Sequence, residues 1–337
     1  MRGADPGGSI RGVMRSALSL VALTCTLTPA AALGYGEADA EGRPSAIERQ
    51  LHLLTNQVRA DPAAFPGWDA TRVPPGPRPP LALDPDLSAA ARFHAEDMAS
   101  AGCFSHDSCD GTSFFDRIRR FFSGPAGENI ALGHPDSTQV MVGWMNSPGH
   151  RDNILRDRFD TLGTGYAEGR HWVQNFGVAG TAPPRIVGGA AFPAGGRLRL
   201  AAHAYAASGR APERFVAILD DEEHALSPAA GQPGHRIWDV EVPAASGCAS
   251  LAFLLQDPGG ATTRFPTSGQ IRVGAGCADG FEPAEPGDPA NPPSLGRPVL
   301  TADEPGGCRC AAPRAGTPAL LGGLILLGLG LLRRARR

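Results

Sequence analysis

The amino-acid sequence predicts an α+β protein in which a domain with helices, residues 45–180, precedes a small all-β domain, residues 183–278. Helix-period apolar patterns occur before residue 150, whereas short alternating strands separated by Gly, Pro, Ser and Asp follow residue 183. The chain has 337 residues, of which 44 are glycine and 32 are proline, and this share favours long loops and turns. A net charge of −3 lacks the basic surplus of a nucleic-acid-binding protein, so we expect no nucleic-acid partner.

The first domain is predicted to contain four helices. Apolar residues spaced three and four apart over residues 45–60 predict the first helix, with Ser45 and Glu48 placed as a capping box. The second begins at Asp84-Pro85, because Asp is a good N-cap and Pro suits the first helical turn. The third is expected over residues 113–122 and the fourth over 137–145, before strand-like segments at 163–167 and 171–176.

The second domain is predicted to be a β-sandwich. Its strand-like segments span residues 197–204, 215–219, 237–242, 251–255 and 270–273. No helix-period segment of useful length interrupts them. Residues 279–305 are rich in Pro, Glu and Asp, a composition typical of a disordered linker.

The amino terminus has the pattern of a secretory signal peptide over residues 1–34. Arg15 precedes a short apolar run, residues 17–27, which ends in a segment of small residues. Met14 opens this pattern and is a candidate start codon. The sequence therefore predicts an exported protein.

The carboxyl terminus, residues 306–337, combines Cys308 and Cys310 with an apolar stretch and a terminal arginine cluster. This combination resembles the MYXO-CTERM sorting tail of myxobacterial surface proteins. The resemblance implies cell-surface display with at least transient membrane anchoring through the tail. A plain C-terminal membrane anchor is the alternative, although sixteen apolar residues extend over only about 24 Å as a helix and a full crossing takes about 30 Å.

Four cysteines outside the signal and the tail can form disulfides in an exported protein. We expect the local pairs Cys103–Cys109 and Cys248–Cys277, although four cysteines allow three connectivities.

Two histidines and a glutamate occur in polar segments that are predicted to be loops between the helices. They are His106 in Phe-Ser-His, Glu128 in Gly-Glu-Asn-Ile and His150 in Ser-Pro-Gly-His-Arg. Two imidazoles and one carboxylate are three of the ligands that a zinc site uses. The same residues could equally cap loops or bridge backbone carbonyls.

At these motifs the chain resembles the CAP superfamily, also called the SCP-like extracellular domain, in its bacterial form. The resemblance extends over about residues 46–177 and implies a three-layer α-β-α sandwich with a cleft beside the sheet. In many family members that cleft holds two histidines and two acidic residues. His106, Glu128 and His150 match three of these positions, whereas Ser147 stands at the second acidic one. Because a neutral serine is a poor zinc ligand, we expect a divalent metal to bind weakly or not at all.

Three functions remain open at this point. The first is a non-catalytic surface module that binds a small ligand, a lipid or an envelope component. The second is a hydrolase, either metal-assisted or using Ser147, His150 and Glu128 as nucleophile, base and orienting group. The third is a structural envelope protein in which the cleft residues only stabilise the fold. His94 lies on the apolar face of its helix and is expected to line the core.

Overall fold

The structure, a computed structural model, describes residues 43–65, 67, 69, 76–275, 277 and 281–282. The predicted signal peptide, almost all of the linker and the whole sorting tail, including Cys308 and Cys310, lie outside the described residues. Within the described ranges, no helix is both long and apolar enough to cross a membrane.

The first domain contains five α-helices and a four-stranded sheet. The helices are α1 (Ala46–Ala60), α2 (Pro85–Ala101), α3 (Phe114–Ile118), α4 (Ser137–Asn146) and α5 (Pro148–Ile154). The strands are β1 (Ala82–Leu83), β2 (Ala126–Leu132), β3 (Thr161–Ala167) and β4 (His171–Gly177), in the spatial order β1-β3-β4-β2. Strand β1 is parallel to β3, and the other pairings are antiparallel.

Helices cover both faces of this sheet and form three layers. Helix α2 packs against β3 and β4, while α1 and α4 lie on the opposite face. The close approach of α2 requires glycine on β3. A Cβ atom on Gly163 would lie 2.0 Å from the carbonyl carbon of Leu87, and one on Gly165 would lie 2.3 Å from that of Ala91. The α-β-α sandwich expected of this domain is therefore present.

The second domain is a β-sandwich. Its strands are β5 (Ile186–Ala194), β6 (Arg197–Tyr205), β7 (Arg214–Leu219), β8 (Glu222–Ala225), β9 (Ser227–Gln232), β10 (His235–Pro243), β11 (Ala249–Gln256), β12 (Thr262–Phe265), β13 (Gln270–Val273) and β14 (Phe281–Glu282). One sheet has the order β5-β6-β10-β9, and the other has the order β14-β13-β11-β7-β8 with β12 paired to β11. Leu200, Phe215, Leu251 and Phe253 fill the core between the sheets. The predicted α+β class is confirmed.

Helix α1 lies between the two domains, and every residue from Leu51 to Ala60 is buried. One side of α1 packs on the first sheet. The other side packs on the sheet β5-β6-β10-β9, where Gln50 Nε2 donates a 2.7 Å hydrogen bond to the carbonyl oxygen of Ala191. A single apolar cluster runs from Leu51 through Phe192 to Ile237. The apolar stripe of α1 indicated one buried face, whereas the structure buries a second.

Three local predictions need correction. The third helix is shorter than expected, because it ends at Ile118 rather than near residue 122. Glu128 lies on strand β2 and His150 lies in helix α5, so neither is on a loop. Pro148 stands in the first turn of α5, where its missing N–H costs no hydrogen bond, and this explains how a helix follows Ser147 directly.

Both predicted disulfides are present. Cys103–Cys109 closes the segment that carries His106, just after α2. Cys248–Cys277 links the start of β11 to the residues that follow β13. Each pair is local in sequence, as expected.

Candidate functional site

The Glu128 carboxylate is the centre of the candidate site. It is almost fully buried on β2, and three side chains approach it from three different elements. Arg117 Nη2 lies 2.6 Å from Oε2, and His106 Nδ1 lies 3.0 Å from Oε1. Asn175 is paired with Glu128 in the register between β2 and β4, and its amide, oriented with nitrogen toward the carboxylate, donates to Oε2 at 3.0 Å.

Arg117 neutralises the buried carboxylate and fixes the backbone beside it. Its side chain comes from α3 and is fully buried. Besides the bond to Glu128, Nη1 donates to the carbonyl oxygen of His106 at 2.9 Å and to Ser108 Oγ at 3.2 Å. These bonds use both terminal nitrogens, whereas Nε has no hydrogen-bond partner among the described residues. Arg117 therefore sets the position of the loop that carries His106.

His94 supports the same loop from α2. Its ring is completely buried, and Nε2 lies 2.9 Å from the carbonyl oxygen of Ser105 and 3.9 Å from Glu128 Oε1. Burial lowers the pKa of His94, so the imidazole is neutral at neutral pH. The prediction that His94 is buried in the core is confirmed. The structure adds that it borders the site.

His106 presents its ring to solvent. Its side chain is 55 % exposed although Nδ1 is bonded to Glu128. The hydrogen bond that His106 donates to this carboxylate is the largest cause that raises the pKa of His106, and the charge of Glu128 adds to it, despite partial burial. Within the described part of the chain, no hydrogen bond involves Nε2 of His106. This nitrogen is therefore available to a ligand.

His150 lies close enough to His106 for their charges to interact. Burial lowers its pKa first, and the charge of His106 lowers it further. Asn129 Nδ2 donates to the carbonyl oxygen of His150 at 3.1 Å, which connects α5 to β2. Asn153 reinforces this connection, because its Nδ2 donates to Asn129 Oδ1 at 3.0 Å. The two histidines thus have pKa values shifted in opposite directions.

Ser147 occupies the turn between α4 and α5. It is the residue that precedes α5, but its hydroxyl makes no capping hydrogen bond to that helix. Among the described residues, no hydrogen bond joins Ser147 to His150 or His150 to Glu128. The carboxylate pairs with His106 instead, so Ser147, His150 and Glu128 are not connected as a catalytic triad.

The donor set does not suit a divalent cation. Both oxygens of Glu128 already accept hydrogen bonds, and the guanidinium of Arg117 supplies the positive charge that a metal ion would provide. In the part of the chain that the structure describes, no three His, Cys, Asp or Glu side chains are grouped to hold a metal ion. This geometry does not favour a metal ion at His106, His150 and Glu128, where the sequence predicts that one binds weakly or not at all.

The sequence did not indicate that Arg117 and Asn175 bind Glu128. Arg117 resembles any charged residue of a short surface helix, and only its position one residue before the buried Ile118 hints at burial. Asn175 belongs to the strand-like segment 171–176. Its contact with Glu128 follows from the strand register, which a single sequence does not specify.

Residues 53–179 match the family model described as CAP, the cysteine-rich secretory protein family. On this similarity we call the first domain the CAP domain. This domain is 43 % identical over 100 residues to the uncharacterized protein YkwD of Bacillus subtilis, covering 29 % of this chain and 39 % of that protein. It is 36 % identical over 98 residues to the uncharacterized membrane protein YlbC of the same organism, covering 28 % of each.

Solved structures with similarity to the CAP domain come from other bacteria. One is an extracellular protein containing an SCP domain from Bacillus anthracis, with 34 % identity, a TM-score of 0.34, and coverage of 39 % of this chain and 40 % of that chain. Another is an outer surface protein from Borrelia burgdorferi, with 18 % identity, a TM-score of 0.31, and coverage of 40 % of this chain and 97 % of that chain. The chain spans less than half the length of both curated relatives, so what they do as whole proteins does not transfer directly.

Proposed function

We propose that the protein is exported and displayed at the cell surface, where its CAP cleft binds a small ligand or lipid without catalysis. Export is supported by the signal-peptide pattern at the amino terminus and by the names of the similar structures, which are extracellular or outer surface proteins. Two disulfides are consistent with an oxidising compartment.

The exposed imidazole of His106 is the observation on which the binding function rests. Because Glu128 raises its pKa, His106 retains its proton at higher pH than a free histidine does. Its Nε2–H then offers a charged donor to an anionic group of a ligand, such as a carboxylate or a phosphate. The buried contacts of Glu128 hold this ring in place before any ligand arrives. A donor fixed in this way loses little conformational entropy on binding.

Titration with inorganic phosphate and with acetate tests this function. The ring C–H resonances of His106 should shift on addition of at least one of the two anions, as followed by NMR on the full chain. His106→Gln should abolish the saturable shift of neighbouring resonances. The matched control is His171→Gln, since His171 lies on β4 of the same domain and its ring hydrogen-bonds to the Glu168 carbonyl oxygen. Equal binding by the His106→Gln variant would contradict the proposal.

A hydrolase is the second candidate, supported by the opposite pKa shifts of His106 and His150. Two neighbouring titratable groups with separated pKa values can serve as acid and base in one reaction. A panel of chromogenic esters and peptides tests this candidate. Turnover that is lost in both His106→Gln and His150→Gln would support it. If turnover and anion binding are both absent, a structural envelope role is favoured.

Surface display through the carboxyl-terminal tail is a separate part of the proposal. A chain that ends before residue 317 lacks the apolar stretch and the arginine cluster. We expect this truncated protein in the culture medium and the full chain in the envelope fraction. Retention of the truncated protein in the envelope would contradict anchoring by the tail.

A further inference from the structure

Three histidines lie where the CAP domain and the β-sandwich meet along α1. His52 belongs to α1, His203 to β6 and His235 to β10, and all three are buried. The rings of His203 and His235 stack with their centroids 4.9 Å apart and their planes 17° apart. We call these three residues the histidine seam.

The stacked pair has unsatisfied polar atoms. Among the described residues, neither ring nitrogen of His203 has a hydrogen-bond partner, and neither does Nε2 of His235. Each of the two rings, even when it is neutral, therefore buries a polar atom that has no hydrogen bond. A second proton would add a charge that nothing nearby neutralises, and an isolated buried charge is far more costly than a neutral polar group.

No free carboxylate faces the pair from the elements packed around it. Helix α1 contributes Arg59, whose positive charge opposes protonation of His235, and His52, which opposes protonation of His203 only when it carries a proton itself. Tyr205 of β6 packs edge-on against His235 at 5.4 Å. Strands β5 and β9 contain no titratable residue. Further along, Asp239 of β10 is bonded to Arg199 Nε at 2.6 Å.

Each domain also has an apolar core that does not include the seam. Ala91, Met98 and Val173 pack between α2 and the first sheet. Leu200 and Phe253 pack between the two sheets of the sandwich. Ala201 and Ile237 instead belong to the cluster that joins the sandwich to α1. The same cluster contains Trp144 and Phe176 and is therefore also the main core of the first domain, whereas the other two cores lie away from the seam.

We propose that the histidine seam is an acid-sensitive latch, which holds the β-sandwich against α1 at neutral pH and releases it when His203 and His235 take up protons. Two cations within 4.9 Å of each other would repel while both are shielded from water. Separation of the domains lets water solvate both rings. Binding of protons to the open form therefore drives the opening.

The pKa shifts agree in sign with this latch. Burial lowers the pKa of His235 to about 4 and that of His203 well below its usual range, so both rings are neutral in the closed form. In the open form they return toward the ordinary histidine value of about 6.5. Closure is therefore favoured above about pH 6.5 and weakens progressively as the pH falls below it.

Buried alanines replaced by cysteine can report which core opens. Ala201→Cys reports on the seam, Ala95→Cys on the CAP core and Ala217→Cys on the sandwich core, since all three alanines are fully buried. Each variant is made in the full chain and treated with dithiodipyridine, a disulfide reagent that reacts at acidic pH. Peptide mapping then quantifies the label at the introduced cysteine.

Between about pH 7.5 and about pH 4.5, we expect labelling at residue 201 to rise at least about tenfold, while residues 95 and 217 change less than about twofold. His203→Phe combined with His235→Phe should abolish the rise, because phenylalanine fills the space of the ring without binding a proton. His203→Gln is the more conservative variant and should reduce the rise. His224→Gln, on β8 of the other sheet, should behave like the parent chain.

Three results would overturn the latch. One is continued protection of residue 201 at about pH 4. Another is simultaneous labelling of residues 95, 201 and 217, which would mean that the whole chain unfolds. The third is an undiminished rise at residue 201 in the double phenylalanine variant, provided that its circular dichroism matches that of the parent chain.

Discussion

Arg117 and Arg59 are both fully buried, and each stabilises a different part of the CAP domain. Arg117 is paired with the buried carboxylate of Glu128. Arg59 has no such partner and donates instead to backbone carbonyl oxygens, which are those of Pro79 at 2.8 Å, Ile154 at 2.8 Å, Arg156 at 3.2 Å and Phe159 at 3.4 Å. Burial lowers the pKa of Arg59 to about 9, yet the side chain stays charged at neutral pH. Both residues thus connect segments that are far apart in sequence.

Removal of Arg117 should lower the free energy of unfolding and raise the pKa of His106. Arg117→Leu leaves the Glu128 carboxylate buried without its cation, a change that typically costs about 3–5 kcal/mol of the free energy of unfolding. The pKa of His106 should also rise, because the Arg117 charge lowers it. Urea denaturation and NMR titration of the histidine rings measure the two effects.

Arg119→Leu is the matched control for Arg117→Leu. Arg119 lies two residues away, and its pair with Asp116 is exposed on the surface. We expect its free energy of unfolding to change by less than about 0.5 kcal/mol. If both variants lose a similar free energy of unfolding, the buried pair of Arg117 and Glu128 contributes no more to stability than the exposed pair of Arg119 and Asp116.

The site could be predicted from the sequence only in part. The sequence identifies His106, Glu128 and His150 as candidates. The structure shows that His106 contacts Glu128 directly, and the charge of His106 lowers the pKa of His150. The motif pattern did not indicate which imidazole the carboxylate would contact. That choice depends on Arg117 and on the β2–β4 register, which are properties of the packed structure.

At the scale of elements, α2 packs closely against β3 because two positions of this strand have no side chain. Glycine at positions 163 and 165 lets the helix backbone approach the strand, so Leu87 and Ala91 come close to the sheet. The helix itself was predictable from its cap and periodicity, and α2 begins at Pro85 as expected. The closeness of its packing was not predictable, because an isolated glycine in a strand is equally typical of a bulge.

Gly163→Ala should therefore separate α2 from the sheet. The added methyl group would lie 2.0 Å from the backbone of Leu87, which cannot move without shifting the helix. We expect the free energy of unfolding to fall by about 3 kcal/mol or more, which is at or beyond the upper end of what overpacking a core typically costs. Differential scanning calorimetry or urea denaturation measures it.

Gly149→Ala provides the contrasting control. Gly149 lies in α5, and a Cβ atom there would meet nothing within 4 Å. Alanine is the better helix former by about 1 kcal/mol, so this variant should be unchanged or slightly more stable. A loss in the Gly149→Ala variant as large as that in Gly163→Ala would contradict the steric explanation.

At the scale of the whole molecule, α1 belongs to both domains. The sequence shows an apolar stripe along this helix, with polar residues between the apolar ones. In the structure most of those polar residues are buried as well. Asn56 accepts from the backbone N–H of Leu81 at 2.8 Å and donates to the carbonyl oxygen of Leu81 at 3.1 Å. Periodicity could not reveal this, because a buried polar face and an exposed one have the same residue types.

The buried histidines make the free energy of unfolding depend on pH. Burial lowers the pKa of His52 and of His235 to about 4 each, whereas both should titrate near 6.5 when unfolded. The unfolded chain thus binds more protons between these values, and stability falls as the pH falls from about 6.5 to about 4. Each residue contributes on the order of 3 kcal/mol across this range.

Urea denaturation between about pH 7 and about pH 4.5 measures this loss. Replacing His52 by Gln should make the free energy of unfolding depend less steeply on pH, because glutamine does not titrate. If the free energy of unfolding of the parent chain does not change with pH, the neutral, buried state of these rings is contradicted.

A fragment that ends at residue 182 tests how far the CAP domain depends on the β-sandwich. It retains α1 but loses the sheet β5-β6-β10-β9, so the Gln50 contact with Ala191 and the packing against Phe192 and Ile237 disappear. The second face of α1 would then be open to water, and we expect a lower melting temperature and a tendency to self-associate. Thermal unfolding and size-exclusion chromatography compare the fragment with the full chain. A monomeric fragment as stable as the full chain would mean that the sandwich packs on α1 without stabilising it, and the shared apolar cluster would then be an interface between two independently stable domains.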